Sequence, residues 1–389
     1  MYTAERQRAQ PYLARVRGPL YEQWYLLHHR MVRVVTNHQE LSEHIRSFLY
    51  YAELLAEYTY EHATQLPVEI PEDLLWQAGA RLHRPIALTC YLFETGPLEA
   101  FPPPPGQPSP GDAEWEEVSG VEGPQQTRWK DKQTQFRFRE VQAHAGVTSR
   151  ISWALHKKDL HASVFIEEMA RCQPWFVTRF AFYMVLGSLF GYDGFEIIHA
   201  GAVALGDTGA LFVGSPGSGK STLVLSCLRA GMNFLADDVV FLGHDDDLVH
   251  VYAFPEDIGV RKGAFELLHG APFMESAVAD QRLKRHVVTQ HYFSQQIVSE
   301  SPVRVILFID ADNRDAQFRA EPLSAAQAVS MLMQEYVSQQ RARTGGADDM
   351  FDIFSDMASQ ATAYRLCLTP DVDLNAAQVL ALLERHQPA

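Results

Sequence analysis

Apolar positions in the second half of the chain fall into short runs closed by glycine or by charge. Ala210-Leu211-Phe212-Val213 is an apolar run of the kind a buried strand needs. Thr222 to Ala230 has helical composition and stops at Gly231, the residue type that closes a helix in the left-handed region. Ile197 to Leu205 reads as a strand that Gly206-Asp207-Thr208-Gly209 turns back towards Ala210. Asn233 to Leu242 reads as a further strand, apolar except for Asp237-Asp238. Val239–Leu242 and Leu248–Phe254 form a hairpin around Gly243–Asp247, and Val303–Ile309 is an apolar strand ending on Asp310. A capped helix then runs to about Gln339, followed by a strand at Tyr364–Leu368 and a helix at Asp373–Arg385. Strands alternating with helices in this way predict an α/β domain.

The first half has weaker punctuation. Ala4 to Arg17 is helical by composition, and Met31–Val35 reads as a strand. Asn37 and Glu40 make a capping-box pattern ahead of a helix that carries Leu41, Ile45, Phe48 and Leu49 on one face. Pro85–Leu92, Gln135–Arg139 and Ala162–Ile166 are further strands, which makes this half α+β. Between them, residues 102–126 are rich in Pro, Gly and Glu and cannot support a packed core, so they read as a linker. The predicted division is an N-terminal α+β domain over 1–170 and a second domain over 171–389, opened by a buried helix at Phe176–Leu189.

Composition narrows the partners. With 389 residues, 47% of them hydrophobic, the chain can build two real cores. A formal charge of −15 disfavours nucleic acid and anionic membrane as main partners. The four cysteines are scattered and include no C-x-x-C, which fits reduced core residues. The first residues lack the apolar core of a signal peptide, and Phe180–Phe190 is too short to span a bilayer, so a cytoplasmic location is expected.

The chemistry sits between two of the elements above. Gly214-Ser215-Pro216-Gly217-Ser218-Gly219-Lys220-Ser221-Thr222 matches G-x-x-x-x-G-K-[ST], placed after a strand and before a helix. Its glycines let backbone N–H groups turn in around a phosphate, and the helix adds the positive end of its dipole. Lys220 would reach the β- and γ-phosphates of ATP, and Ser221 would ligate Mg²⁺. The Asp237-Asp238 pair inside an apolar strand needs a cation or a donor, which points to a magnesium ligand and a proton acceptor. Asp310 has a rival claim to the metal, and Arg261 is a candidate phosphate or substrate contact. The run Asp245-Asp246-Asp247 is a hairpin tip rather than a metal site.

His199-Ala200-Gly201-Ala202-Val203, the loop at Gly214–Thr222 and Leu235-Ala236-Asp237-Asp238-Val239 occur in an order and spacing that resembles the catalytic domain of the HPr kinase/phosphorylase family. The resemblance runs from about Phe176 to the C-terminus. It implies a P-loop fold of the HPr-kinase/phosphoenolpyruvate-carboxykinase type. It implies further that His199 pairs with one carboxylate of the acidic pair while the other takes the proton of an acceptor hydroxyl. Family order favours Asp238 as the base, also serving the metal, and Asp237 as the partner of His199. Three features depart from the pattern: Thr222 stands where Glu is common, residues Phe254–Arg261 lack the phosphorylase signature, and the first 150 residues do not resemble the family's N-terminal domain. The resemblance therefore carries neither the reverse reaction nor HPr itself as acceptor.

Two functions follow as expectations. One is an ATP- and Mg²⁺-dependent kinase acting on a hydroxyl of a protein, peptide or small molecule, with serine as the family's acceptor and a homo-oligomer as the family's habit. The other is a P-loop ATPase used as a conformational switch, with Lys220 and Asp310 as its working residues.

Overall fold

The computed structural model describes residues 16–388 apart from 68, 83–86, 96–114, 118–126, 131–133, 145–146, 157–159, 173, 246, 255–256, 269, 276–277, 280–284, 311–316 and 340–346. The chain forms two compact units, Met1–Asp193 and Gly194–Ala389. The helix expected to open the second domain therefore belongs with the first unit. It runs over Tyr183–Tyr192 after a wide π turn at Val177–Phe182, and buries Val185, Leu186, Leu189 and Phe190.

Unit 1 is built on a mixed nine-stranded sheet. Its middle comprises β1 (Leu20–Leu27), β2 (Arg30–Thr36), β4 (Ala87–Glu94) and β9 (His161–Ile166), with β3 (Glu53–Tyr60) at one edge. The strands β5 (Trp115–Glu117), β6 (Thr127–Lys130), β7 (Thr134–His144) and β8 (Val147–His156) continue it on the other side. β5 lies within the stretch expected to be a linker and pairs with β6; the remainder of 102–126, like most of the helix expected at 4–17, lies outside the described residues. Helix α1 (Gln39–Phe48) is capped by His38 rather than Asn37. Asn37 instead bonds Arg17 and Glu94 through its amide, tying the start of β1 to the end of β4. A buried ion pair, Arg33–Glu22, is completed by the Tyr60 hydroxyl donating to Glu22, so neither charge is left unsatisfied.

Unit 2 is a mixed α/β body with several sheets. Its main sheet runs β10 (Glu196–Ile198), β14 (Val240–Asp245), β15 (Leu248–Tyr252), β19 (Glu300–Ile309), β12 (Thr208–Val213), β11 (Gly201–Leu205), β13 (Asn233–Ala236). β20 (Arg319–Leu323) and β21 (Thr362–Cys367) extend it beside β19, and β16 (Ile258–Val260), β17 (Val278–Ala279) and β18 (Arg285–Val287) make a small separate sheet. Strand alternation sorts the core into two layers. Val203, Ala210, Phe212, Val305 and Leu307 pack on one face against α2 (Lys220–Arg229) and α6 (Val372–Arg385). Ala202, Leu211, Val213, Ile306 and Phe308 pack on the other against α4 (Ala325–Gln339) and α5 (Ala347–Gln360). The sheet is thus covered on both sides, which is why its strands are apolar at successive positions. A short helix, α3 (Lys262–Leu267), follows β16.

Two strands expected to be continuous are broken. Ile197–Leu205 splits into β10 and β11 around His199-Ala200, and Asn233–Leu242 splits into β13 and β14 around Asp237–Val239. The breaks face each other: Ile198 pairs with Val240 on one side, Ala202 with Ala236 on the other. A carboxylate pair inside an unbroken buried strand would put one Asp into each apolar layer, and the breaks release both from that constraint. Among the described residues no helix is long and apolar enough to cross a membrane. Cys90, Cys227 and Cys367 are buried and free, and burial pushes the thiols of Cys90 and Cys227 up.

Candidate active site

The loop Gly214–Gly219 joins β12 to α2, and β12 lies between antiparallel β11 and parallel β19. Gly219 caps the helix at φ +111°, a region open to glycine and strained for other residues. Gly214 is glycine for a different reason: a Cβ there would sit 2.9 Å from Ser218 Oγ and 3.0 Å from the Ile309 carbonyl oxygen. The first turn of α2 starts at Lys220, so its leading N–H groups have no helical acceptor and face the loop.

Lys220 is 5% exposed and folds back over the loop, donating to the carbonyls of Gly214 at 2.5 Å and Ser215 at 3.4 Å. Burial lowers its pKa, opposed by the negative charges of Glu335, Asp237 and Asp238 in that order. The Ser221 side chain hydrogen-bonds the carboxylate of Asp237. Asp237 is 4% exposed, and its Oδ1 has no hydrogen-bond partner. Its pKa is pushed up to about 7, first by burial and then by the charge of Asp238, against the lowering effects of Ser221, Lys220 and His199. The Ser218 hydroxyl is likewise buried and unpartnered.

His199 occupies the break opposite the acids. Its Nδ1 lies 2.8 Å from Asp238 Oδ1 and 2.6 Å from the Asp238 carbonyl oxygen. Both partners are acceptors, so Nδ1 carries the proton. This corrects the expected pairing: His199 holds Asp238, whereas Asp237 turns towards Ser221. The division follows from exposure, since the Asp238 side chain is 56% accessible and Asp237 is buried under the loop helix.

Arg261 caps α3, and its Nη1 lies 3.5 Å from where a Cβ on Gly217 would stand, so the small sheet delivers a cation to the loop. Pro216 and Ser215 form the exposed outer rim, and Thr222 is half-buried in the first turn of α2. Asp310 follows Ile309 at the end of β19 and donates its N–H to the Leu366 carbonyl. The Ile309 carbonyl oxygen before it stands 3.0 Å from where a Cβ on Gly214 would lie. Glu335 on α4 was not marked by any motif. It is one polar position beside the buried stripe Ala328, Leu332 and Tyr336, and only the tertiary fold brings it to Lys220.

No protein-family model matches the chain, and no curated protein matches it. Among solved structures, the Hpr(Ser) kinase/phosphatase from Coxiella burnetii is similar over 49% of this chain and 88% of its own length, with 13% identity and a TM-score of 0.28.

Proposed function

We propose that unit 2 is an ATP-dependent phosphotransferase that moves the γ-phosphoryl group to a hydroxyl, with a serine of a protein or peptide as the favoured acceptor. One observation carries the reading: Lys220 and Ser221, at the start of the loop helix, converge with Asp237, Asp238 and His199 at the facing strand breaks.

The residues fit a magnesium nucleotide. Ser218 Oγ and Asp237 Oδ1 are buried polar atoms lacking partners, the kind of group a native fold keeps for a ligand. Ser221 and Asp237 would hold Mg²⁺, which when bound neutralises phosphate charge. Lys220 exchanges its loop carbonyls for β- and γ-phosphate oxygens, and Arg261 stands at the rim for a further phosphate oxygen. Asp238 is exposed enough to meet an acceptor, and His199 fixes its carboxylate through Nδ1–H. The acceptor oxygen bonds to the γ-phosphorus as its bond to the departing ADP oxygen breaks, and the acceptor's proton passes to Asp238. The test is incubation of the protein with γ-labelled ATP and host proteins, with mass spectrometry of the labelled residues. Label on a hydroxyl that disappears with Asp238→Asn is the expected result; ATP turnover with no labelled acceptor removes the phosphotransferase reading.

The switch ATPase remains a second reading because Asp310 follows Ile309, whose carbonyl abuts Gly214. It is separated from the first by the Asp238 and Asp310 variants discussed below.

A further inference from the structure

The topology of unit 2 brings one more carboxylate to the loop. β20 runs antiparallel to β21 and ends where Leu323 pairs with Ala363, and β21 starts beside Val305 of β19, at the end of the sheet remote from the loop. From there α4 returns over the sheet, with Ala328, Leu332 and Tyr336 in the same core layer as Val213, Ile306 and Phe308. From Ala325 to Glu335 the helix rises about 15 Å, and from Val305 to Ile309 the strand advances about 13 Å. Glu335 therefore comes level with Ile309, whose carbonyl oxygen abuts Gly214, and the Gly214 carbonyl accepts from Lys220.

Electrostatics agrees with this placement. Of the three carboxylates that act on the Lys220 ammonium, Glu335 acts most strongly, ahead of Asp237 and Asp238. The other two are engaged: the Ser221 side chain hydrogen-bonds Asp237, and His199 Nδ1 lies 2.8 Å from Asp238 Oδ1. Glu335 has no part in the metal or proton chemistry proposed above. It is half-buried, so water screens its charge only in part. A carboxylate fixed there attracts the ammonium and repels phosphate. A divalent cation cancels much of a triphosphate's charge, so the metal complex meets far less of this repulsion than the bare nucleotide.

We propose that Glu335 makes the site selective for metal-complexed nucleotide, rejecting the bare triphosphate by charge without itself touching the metal. The proposal rests on the nucleotide-binding reading and adds which form of the nucleotide is admitted.

The experiment compares ATP in excess Mg²⁺ with ATP in EDTA by calorimetry on the full chain. Wild-type protein, Glu335→Gln and Glu335→Asp are titrated in parallel. Wild type should bind the magnesium complex at least about tenfold more tightly than bare ATP. Glu335→Gln should raise affinity for bare ATP about three- to tenfold and for Mg·ATP by less than about twofold, which narrows the ratio. Glu335→Asp keeps the charge and should keep the wild-type ratio. High salt should shrink the effect of Glu335→Gln, which a change of packing alone would not show. A ratio unaltered by Glu335→Gln overturns the proposal, and equal wild-type affinity for the two forms does so while leaving nucleotide binding intact. Weaker Mg·ATP binding in Glu335→Gln would make Glu335 a metal contact and overturn it also. Failure of wild type to bind either form overturns this proposal together with the nucleotide reading beneath it.

Discussion

Lys220 is the residue whose removal speaks most directly to the loop. Its ammonium is buried and donates to loop carbonyls, and replacing it by Ala would delete the charge-assisted bonds to phosphate proposed above. Mg·ATP affinity measured by calorimetry should fall at least about tenfold; unchanged affinity in a folded variant would exclude Lys220 from the site. Asp238→Asn should leave ATP binding intact and slow single-turnover transfer by about 10² to 10⁴, whereas Asp310→Asn should do little. The reverse ranking would favour the switch ATPase. Asp237 has a different signature. Its folded pKa lies near 7, raised from 3.8, so the folded state keeps a proton that the unfolded state releases. Stability of the metal-free protein should therefore fall as pH rises through that window, by at most roughly 4 kcal/mol. Asp237→Asn should flatten the dependence of Tm on pH in the presence of EDTA; a profile identical to wild type would mean that the buried carboxyl is not the titrating group. The sequence marked all these residues, because acids in an apolar run are conspicuous. It did not show which acid His199 holds, since adjacency in a strand says only that two side chains face opposite ways. Glu335 carried no signal at all, being one carboxylate on an amphipathic helix.

At the scale of elements, the strand–loop–helix around Gly214–Gly219 was legible because the apolar pattern changes at glycines. The paired breaks at His199-Ala200 and Asp237–Val239 were not. Apolar residues continue on both sides of each break, so the hydrophobic pattern reads through them, and their alignment exists only in the sheet's pairing. The His38 cap was missed for a related reason: Asn37 has the better capping side chain, but the tertiary fold uses it to join β1 to β4. Gly214→Ala tests the loop as an element. The new methyl meets Ser218 Oγ and the Ile309 carbonyl, and the latter is strand backbone that cannot swing aside. Tm should drop, by about 1–3 kcal/mol of stability, and ATP binding should be lost with it. A variant with wild-type Tm and affinity would show that the approach of β12 to β19 relaxes there.

At the scale of the molecule, every residue proposed for the nucleotide and its chemistry lies in unit 2, from His199 to Glu335. A fragment spanning 194–389 should accordingly bind Mg·ATP as the full chain does when both are titrated side by side; loss of binding in a folded fragment would mean that unit 1 completes the site. The helix at Tyr183–Tyr192 made the division hard to place from sequence, because an apolar helix can serve the core on either side of it. Asp237 has one more consequence, which concerns heat rather than rate. Near pH 6 its carboxyl carries a proton before any ligand arrives, and a cation seated between Ser221 and Asp237 requires the bare carboxylate. Loading the site would expel up to about one proton into the buffer, so the enthalpy of Mg·ATP binding should change with the buffer's heat of ionisation. That dependence should shrink above pH 8 and vanish in Asp237→Asn, and its absence near pH 6 in the wild type would place the cation elsewhere than on this carboxylate.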